Sequence, residues 1–359
     1  MNETWHRVLW TATAAAVIWG LWLLADGTRP YFHSQEPVLI DIQRGARSRE
    51  IAQRLEETGV IRSRVTFLWL HFLRPANTLK AGEYSFERPA SPFEVLRKLI
   101  RGDVSYQVLV IPEGYNRFEI ADAVAAQGFA TREEFLWATE EPSVVADLDP
   151  QAKNLEGYLF PDTYHFPRHA RPAQIVRNMV GRFRQVYSGL TPEGSRPQGV
   201  GSGPQGGAGA QTVHDTATLA SLIEKETGSP EERPAVAAVF YNRLKRGLAL
   251  QCDPTVIYAA ILENRYDGKI RQSHLNSPSP YNTYVHPGLP PGPIANPGRS
   301  SLLAALRPDA SDYLFFVANS DGGHTFSKTL AEHNHAVSQY RKGLREQAAS
   351  EKSEIRKNF

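Results

Sequence analysis

Glu226 is a carboxylic acid standing where the pattern around it calls for an oily side chain. In the run Leu219-Ala-Ser-Leu-Ile-Glu-Lys-Glu-Thr-Gly228, Leu219, Leu222, Ile223 and Glu226 fall at i, i+3, i+4 and i+7. On a helix, Glu226 therefore continues the apolar stripe, while Glu224 turns away from it toward water. Burial disfavours the charged form of an acid, and the negative end of the helix dipole adds to this in a last turn. Both effects predict a Glu226 that is protonated near neutral pH. A protonated glutamic acid in a cleft is a general acid, the group that donates a proton to a leaving oxygen. A buried glutamate that satisfies a neighbouring helix end is the reading without chemistry, and spacing alone leaves both open.

Other residues offer less. Tyr281-Asn-Thr-Tyr284 and Pro287-Gly-Leu-Pro-Pro-Gly-Pro293 combine aromatic faces, an amide and a rigid backbone. Such a surface suits stacking and hydrogen bonding of sugar rings, and equally a rigid loop. His324, Glu332, His333 and His335 lie close in sequence, but i, i+2 histidines face opposite sides of a helix and match no zinc pattern, so no metal site is assigned. The single cysteine, Cys252, cannot form an internal disulfide, and neither it nor any serine sits in a nucleophile elbow. No cofactor motif is present.

The elements that must position Glu226 can be read from their punctuation. Gly228 suits a left-handed helix cap, and Ser229-Pro-Glu-Glu232 reads as a capping box that opens the next helix. The first helix is expected to begin at Asp215 or Thr216, and the second to end near Gly247. A third starts with Asp253 as cap and Pro254 at its first position. Two helices meeting in a tight corner at Glu226 would make a cleft. An apolar strand, Tyr313 to Val317, followed by Gly322-Gly-His324, could bring His324 to its edge.

Upstream, Val8 to Ala25 runs for about 18 residues without a charge, long enough to span a bilayer. Tryptophans near both ends and His6-Arg7 before the span favour an anchor with the rest of the chain outside the cytoplasm. A cleaved signal fits less well, because no small-x-small pattern precedes Leu24-Ala-Asp26. Gly45-Ala-Arg-Ser-Arg-Glu-Ile-Ala52, then Gly59 and Phe67-Leu-Trp69, is echoed about 69 residues later. The second copy is Gly114-Tyr-Asn-Arg-Phe-Glu-Ile-Ala121, then Gly128 and Phe135-Leu-Trp137. Each copy follows a strand candidate, Val38 to Ile42 and Tyr106 to Ile111, and predicts strand, glycine turn, helix, turn, helix. These are small binding modules or spacers. An amphipathic helix is expected from about Pro172 to Tyr187, and the glycine-rich segment from Gly189 to Gln211 reads as a flexible loop. The net charge of +2 over 359 residues, with no basic block, argues against a nucleic-acid partner.

Together these motifs resemble the YceG-like family, the endolytic murein transglycosylases. The resemblance rests on Leu219-Ala-Ser-Leu-Ile-Glu-Lys-Glu-Thr227, Val239-Phe-Tyr-Asn-Arg-Leu244 and Leu250-Gln-Cys-Asp-Pro-Thr-Val-Ile-Tyr258. It extends to Tyr281-Asn-Thr-Tyr284, Gly288-Leu-Pro-Pro-Gly292 and Gly323-His-Thr-Phe326. Upstream, Leu79-Lys-Ala-Gly-Glu-Tyr84, Ile111-Pro-Glu-Gly114 and Glu156-Gly-Tyr-Leu-Phe-Pro-Asp-Thr163 belong to it as well.

The resemblance implies an α+β chain: an N-terminal transmembrane helix, small LysM-like α/β modules, then a mixed α/β catalytic domain with the acid on a helix. The expected divisions are 1–26 (cytoplasmic tip and membrane helix), 37–105 (LysM-like module) and 106–142 (second small module). Residues 143–345 form the catalytic domain, interrupted by the 189–211 loop, and 346–359 form a charged C-terminal tail.

The resemblance also implies cleavage within peptidoglycan glycan strands at the β-1,4 bond between N-acetylmuramic acid and N-acetylglucosamine. The muramic acid C6 hydroxyl replaces water and leaves a 1,6-anhydro end, so one acid suffices. Glu226 is then the catalytic acid, with Glu224 the runner-up. Gln251, Tyr281, Asn282 and His324 are candidates for holding sugars. The expected location is the inner membrane, single-pass, with the catalytic part outside the cytoplasm and peptidoglycan synthases as partners. A water-using muramidase and a non-catalytic envelope scaffold are the alternatives. Cys252, where the family leads one to expect a small polar residue, is expected to affect packing alone.

Overall fold

The computed structural model describes residues 3–34, 36–74, 76–168, 170–191 and 212–357, and side chains within residues 5–345 of these. The chain divides into two compact units, Met1–Val108 with His165–Ala170, and Leu109–Tyr164 with Arg171–Phe359. Residues 109–142, expected to belong to a second small module, share a unit with the region expected to be catalytic.

The first unit begins with α1 (Glu3–Thr28), followed by β1 (Val38–Ile42), α2 (Ser48–Glu57), α3 (Arg64–Phe72), β2 (Gly82–Phe86) and α4 (Pro92–Arg101). α1 is long and apolar enough to cross a membrane, and Trp5, Trp10, Trp19 and Trp22 on it are exposed. Its last turn is different: Leu23 and Asp26 are buried, and the Asp26 carboxylate accepts the Thr66 hydroxyl of α3 at 2.6 Å. β1 and β2 pair antiparallel, with Ile40 opposite Tyr84 and Val38 opposite Phe86. Ile40, Tyr84 and Phe86 enclose a core with Leu55, Phe67 and Leu99. α4 shows how closely local sequence sets these elements. Ser91 and Glu94 form a reciprocal capping box, Pro92 opens the helix, and Gly102 closes it at φ 77°.

β3 (Gln107–Val110) and β4 (Thr163–Phe166) form a second two-stranded sheet. Between them lie α5 (Arg117–Ala126), α6 (Arg132–Thr139) and a 3-10 turn at Pro142–Val145. The internal repeat is therefore realised in backbone geometry. β1, Gly45 (φ 85°), α2, Gly59 (φ 73°) and α3 are matched by β3, Gly114 (φ 78°), α5, Gly128 (φ 72°) and α6.

The second unit continues with α7 (Pro172–Leu190), α8 (Val213–Glu226), α9 (Arg233–Lys245), α10 (Asp253–Leu262), α11 (Gln272–Leu275) and α12 (Arg299–Leu306). The antiparallel pair β5 (Phe315–Ala318) and β6 (His324–Ser327) and the long helix α13 (Leu330–Lys357) complete it. α7 takes in Gly189 and Leu190 of the segment read as a loop; residues 192–211 lie outside those described. α13 carries the segment read as a tail as far as Lys357.

α8 is the centre of this unit. Every residue from Thr216 to Ile223 is buried, so the helix is enclosed on all sides rather than along one stripe. Thr212 caps its start by accepting from the Asp215 N–H, so α8 begins at Val213, two or three residues before the predicted Asp215 or Thr216. Close by, His214 Nδ1 contacts Asp149 Oδ2 at 2.7 Å, and the Tyr158 hydroxyl donates to the same oxygen at 2.5 Å. The other end departs further from expectation. Gly228 has no positive φ, because α8 leaves through an extended Thr227 (φ −139°, ψ 133°). The capping box at Ser229 does not form either. Residues 230–232 make a turn, α9 begins at Arg233, and the Glu232 carboxylate is drawn to His324 and Thr227 instead. α10 is capped at Cys252, with Asp253 and Pro254 in its first two positions.

Glu156 ties the second repeat copy to this core. Its fully buried carboxylate accepts from the Arg117 backbone at 3.1 Å, the Tyr258 hydroxyl at 2.9 Å and Asn296 Nδ2 at 2.8 Å. Burial pushes Glu156 up to about 7 against these donors. The adjacent Gly157 is left-handed at φ 87°, and a Cβ there would collide with the Pro293 ring. Gly157→Ala combines backbone strain with overpacking and is expected to cost about 2–4 kcal/mol. Urea unfolding followed by near-ultraviolet circular dichroism checks this; a loss under about 0.5 kcal/mol, within the range of ordinary surface changes, would contradict it.

Candidate active site

Glu226 is the last residue of α8 and half-buried in the wall of a cavity of about 330 Å³. Gln251, Asp253, Tyr284, Arg243 and the rings of Phe315 and Phe316 share that wall. A larger cavity, about 940 Å³, lies in the first unit. Its Glu94 is engaged as the cap of α4 and carries a lowered pKa, the opposite of what a proton donor needs.

The environment of Glu226 holds its pKa above the ordinary 4.5. Burial is the main cause, and the negative charge of Asp253 adds to it. The Cys252 thiol, which hydrogen-bonds the carboxylate, and the nearby His324 pull the other way. Cys252 is itself buried, and its thiol is pushed well up by burial and by Glu226. The expectation that Cys252 affects packing alone is thus corrected, because it touches the proposed acid.

Glu224 does not face water. Its side chain is 5% exposed, pairs with Arg233 Nη2 at 2.8 Å and accepts the Gly298 backbone N–H at 2.9 Å. The reason is the full enclosure of α8: the face opposite Glu226 is covered by α9 and α12 rather than by solvent. Glu224 is paired within the fold, and Glu226 is the one that opens onto a cavity.

Gln251 stands in the cavity wall with a left-handed backbone (φ 53°), a conformation that non-glycine residues take at a cost. Its Oε1 accepts from Arg243 Nη2 at 2.6 Å, while Arg243 lies over the Phe315 ring. His324 is 17% exposed and packs edge-on against Phe316. Tyr281 and Asn282 sit elsewhere. The Tyr281 ring packs on Tyr258 at 5.1 Å. Asn282 is fully buried, donating to the carbonyls of Leu275 and Ser277 and accepting from Tyr284 N, so its amide shapes the loop.

Sequence reasoning missed Tyr284, Asp253 and Arg243, which line the cavity. Tyr284 was within reach, since it closes the same Tyr-Asn-Thr-Tyr run. Its hydroxyl donates to Asp253 Oδ1 at 2.6 Å. His333 contributes an aromatic wall, stacked on Phe315 at 5.2 Å.

The model of the YceG-like family matches residues 40–339. An endolytic murein transglycosylase of Bacillus subtilis (strain 168) is 34% identical over 323 residues, covering 86% of this chain and 86% of the relative. The chain belongs to the YceG-like family. A second relative of the same name, from Streptococcus pneumoniae serotype 2, is 28% identical over 344 residues, and the match spans 59% of its length. The crystal structure of a yceG-like protein from Listeria monocytogenes is 33% identical, covers 84% of this chain and 99% of that chain, and superposes with a TM-score of 0.52. The family resemblance read from the motifs is thereby shown.

The two neighbouring acids should respond in opposite ways to neutralisation. Glu224→Ala takes from buried Arg233 its 2.8 Å partner, leaving Glu113 at 3.5 Å and the Ser300 hydroxyl, and should lower unfolding free energy by about 2–3 kcal/mol, below the range for a wholly unpaired buried charge. Glu226→Gln should stabilise instead. A raised folded-state pKa means that stability present below the unfolded-state value is lost as pH rises through the folded value, and Gln avoids that loss. Unfolding at pH 5 and pH 8 tests the sign: the advantage of Glu226→Gln over the parent must grow with pH, and a constant or shrinking difference would overturn it.

Proposed function

We propose that this chain is a membrane-anchored endolytic lytic transglycosylase of peptidoglycan. It cleaves the β-1,4 bond between N-acetylmuramic acid and N-acetylglucosamine within glycan strands, leaves 1,6-anhydro ends and terminates nascent strands. The observation that carries this reading is Glu226, held above the ordinary glutamate pKa in the wall of a cavity with aromatic and amide side chains. The names of the B. subtilis and S. pneumoniae relatives supply the substrate class.

Glu226, protonated, gives its proton to the glycosidic oxygen as the bond to C1 breaks. As a carboxylate it then accepts the proton of the muramic acid C6 hydroxyl, whose oxygen closes onto C1. The released sugar leaves with a free hydroxyl, the ring closes as an internal ether, and Glu226 returns to its protonated form. One group serves both steps best when its pKa is near the working pH. Burial and Asp253 raise it, while Cys252 and His324 restrain it. Gln251, Tyr284 and the Phe315 and Phe316 rings are the surfaces offered to sugars.

The anchor reading rests on α1, whose lipid-length apolar surface is exposed. On that reading the rest of the chain stands outside the cytoplasm at the inner membrane. The LysM-like reading of residues 37–105 is supported by the β1–α2–α3–β2 order and its antiparallel pair. Glycan strands are the partner, with synthases the natural neighbours of an enzyme that cuts new strands.

Asp253 favours a second reading. Ordinary glycosidases use two carboxylates, and the cavity holds Asp253 as well as Glu226, so the single-acid expectation does not describe the whole site. With Asp253 activating water, the enzyme would be a muramidase. Mass spectrometry of products from uncross-linked glycan decides between them. The parent protein and Asp253→Asn are expected to give 1,6-anhydro ends, and Glu226→Gln to lose at least about 100-fold in rate while remaining folded. Reducing ends from the parent would establish the muramidase, and full activity in Glu226→Gln would remove Glu226 from the mechanism.

A further inference from the structure

The Glu232 carboxylate is spent neither on a helix cap nor on solvent. Its Oε1 accepts the His324 backbone N–H at 2.7 Å, and its Oε2 faces His324 Nδ1 at 2.7 Å. The Thr227 hydroxyl donates to Oε2 at 3.2 Å from the end of α8. Space for this is reserved by Gly323, where a Cβ would approach Glu232 Oε1 to 2.5 Å. The hairpin is shaped to match: Asn319 Oδ1 accepts from Gly323 N, and Asn319 N donates to the Gly323 carbonyl at 2.8 Å. Phe316 holds the imidazole edge-on at 5.4 Å and itself lines the Glu226 cavity. When it is protonated, His324 is also near enough to Glu226 to act on its charge.

A carboxylate can only accept, so a neutral imidazole facing Glu232 must carry its proton on Nδ1 and leave Nε2 as an acceptor. We infer that Glu232 is a positioning residue that fixes His324 in the Nδ1–H tautomer, so that Nε2 is the hydrogen-bond acceptor a sugar hydroxyl meets beside Glu226. His324 then orients the glycan for the proton transfers that Glu226 performs, and Glu232 acts only through it. Thr227 links this pair to the same helix end that carries Glu226, which ties the acceptor's position to that of the acid.

The inference rests on the reading of Glu226 as the catalytic acid, and Glu232→Gln separates the two. In that variant the amide oxygen must stay on the His324 backbone N–H, so the amide N–H₂ faces Nδ1 and forces the proton onto Nε2. With the full chain in detergent micelles and purified glycan strands, Glu232→Gln is expected to lower kcat at least about 10-fold, with KM changed less than about 2-fold. His324→Gln should lose as much, and the double variant no more than either alone. ¹⁵N-histidine spectra should show the His324 signal, identified by its absence in His324→Gln, as Nδ1–H in the parent and Nε2–H in Glu232→Gln.

Parental kcat in either folded variant, or the same tautomer in parent and Glu232→Gln, overturns the inference. Should Glu232→Gln fail to fold, His324→Gln alone decides by its kcat. An active Glu226→Gln protein would instead sink the underlying mechanism. An inactive Glu226→Gln beside a fully active Glu232→Gln would sink this inference only.

Discussion

The buried pair of Glu224 and Arg233 sets the geometry on which the site depends. Residues two apart on a helix point to nearly opposite sides. Once the Glu224 carboxylate is locked between Arg233 at the start of α9 and the Gly298 N–H at the start of α12, Glu226 has to face the other way, toward α10 and the β5–β6 hairpin. Such a pair adds little net stability, because desolvating two charges consumes most of the attraction. Its effect is on placement: it fixes the rotation and the end of α8, and therefore the direction of the acid.

That direction makes Glu226 a different chemical object from its neighbour. Burial lifts the pKa of Glu224 above 4.5 as well, so what separates the two acids is that Glu224 is held by a cation and a backbone donor. Glu226 is desolvated by the cavity wall with no cation bonded to it among the described residues, and its closest modulators work against each other. Burial and Asp253 favour the acid form; the Cys252 thiol and, when protonated, His324 favour the carboxylate. A group under opposed influences of this kind can give and then take a proton in one reaction cycle. The strained Gln251 backbone and the hydrogen bond from Tyr284 to Asp253 keep the surrounding wall in place.

Much of this was legible in the residues. The phase of Leu219, Leu222, Ile223 and Glu226 singled out the acid, the repeat predicted two strand–glycine turn–helix–turn–helix units, and the N-terminal span was plain from composition. The failures share one cause, which is competition from partners distant in sequence. Ser229-Pro-Glu-Glu232 has every local feature of a capping box, yet His324, some ninety residues on, takes the Glu232 carboxylate. Helical phase assigned Glu224 to water because a single helix cannot reveal that α9 and α12 cover its other side. Asn282 looked like a sugar ligand by type, while its amide is consumed by carbonyls of its own loop.

The central claim is that the site keeps Glu226 protonated more readily than an ordinary glutamate. The direct test is the pH titration of its carboxyl group, isolated by infrared difference spectra between the parent and Glu226→Gln. A midpoint clearly above 4.5, the ordinary value for this side chain, is the result predicted. A midpoint at or below 4.5 would contradict the account, because a carboxylate that stays ionised cannot protonate a glycosidic oxygen.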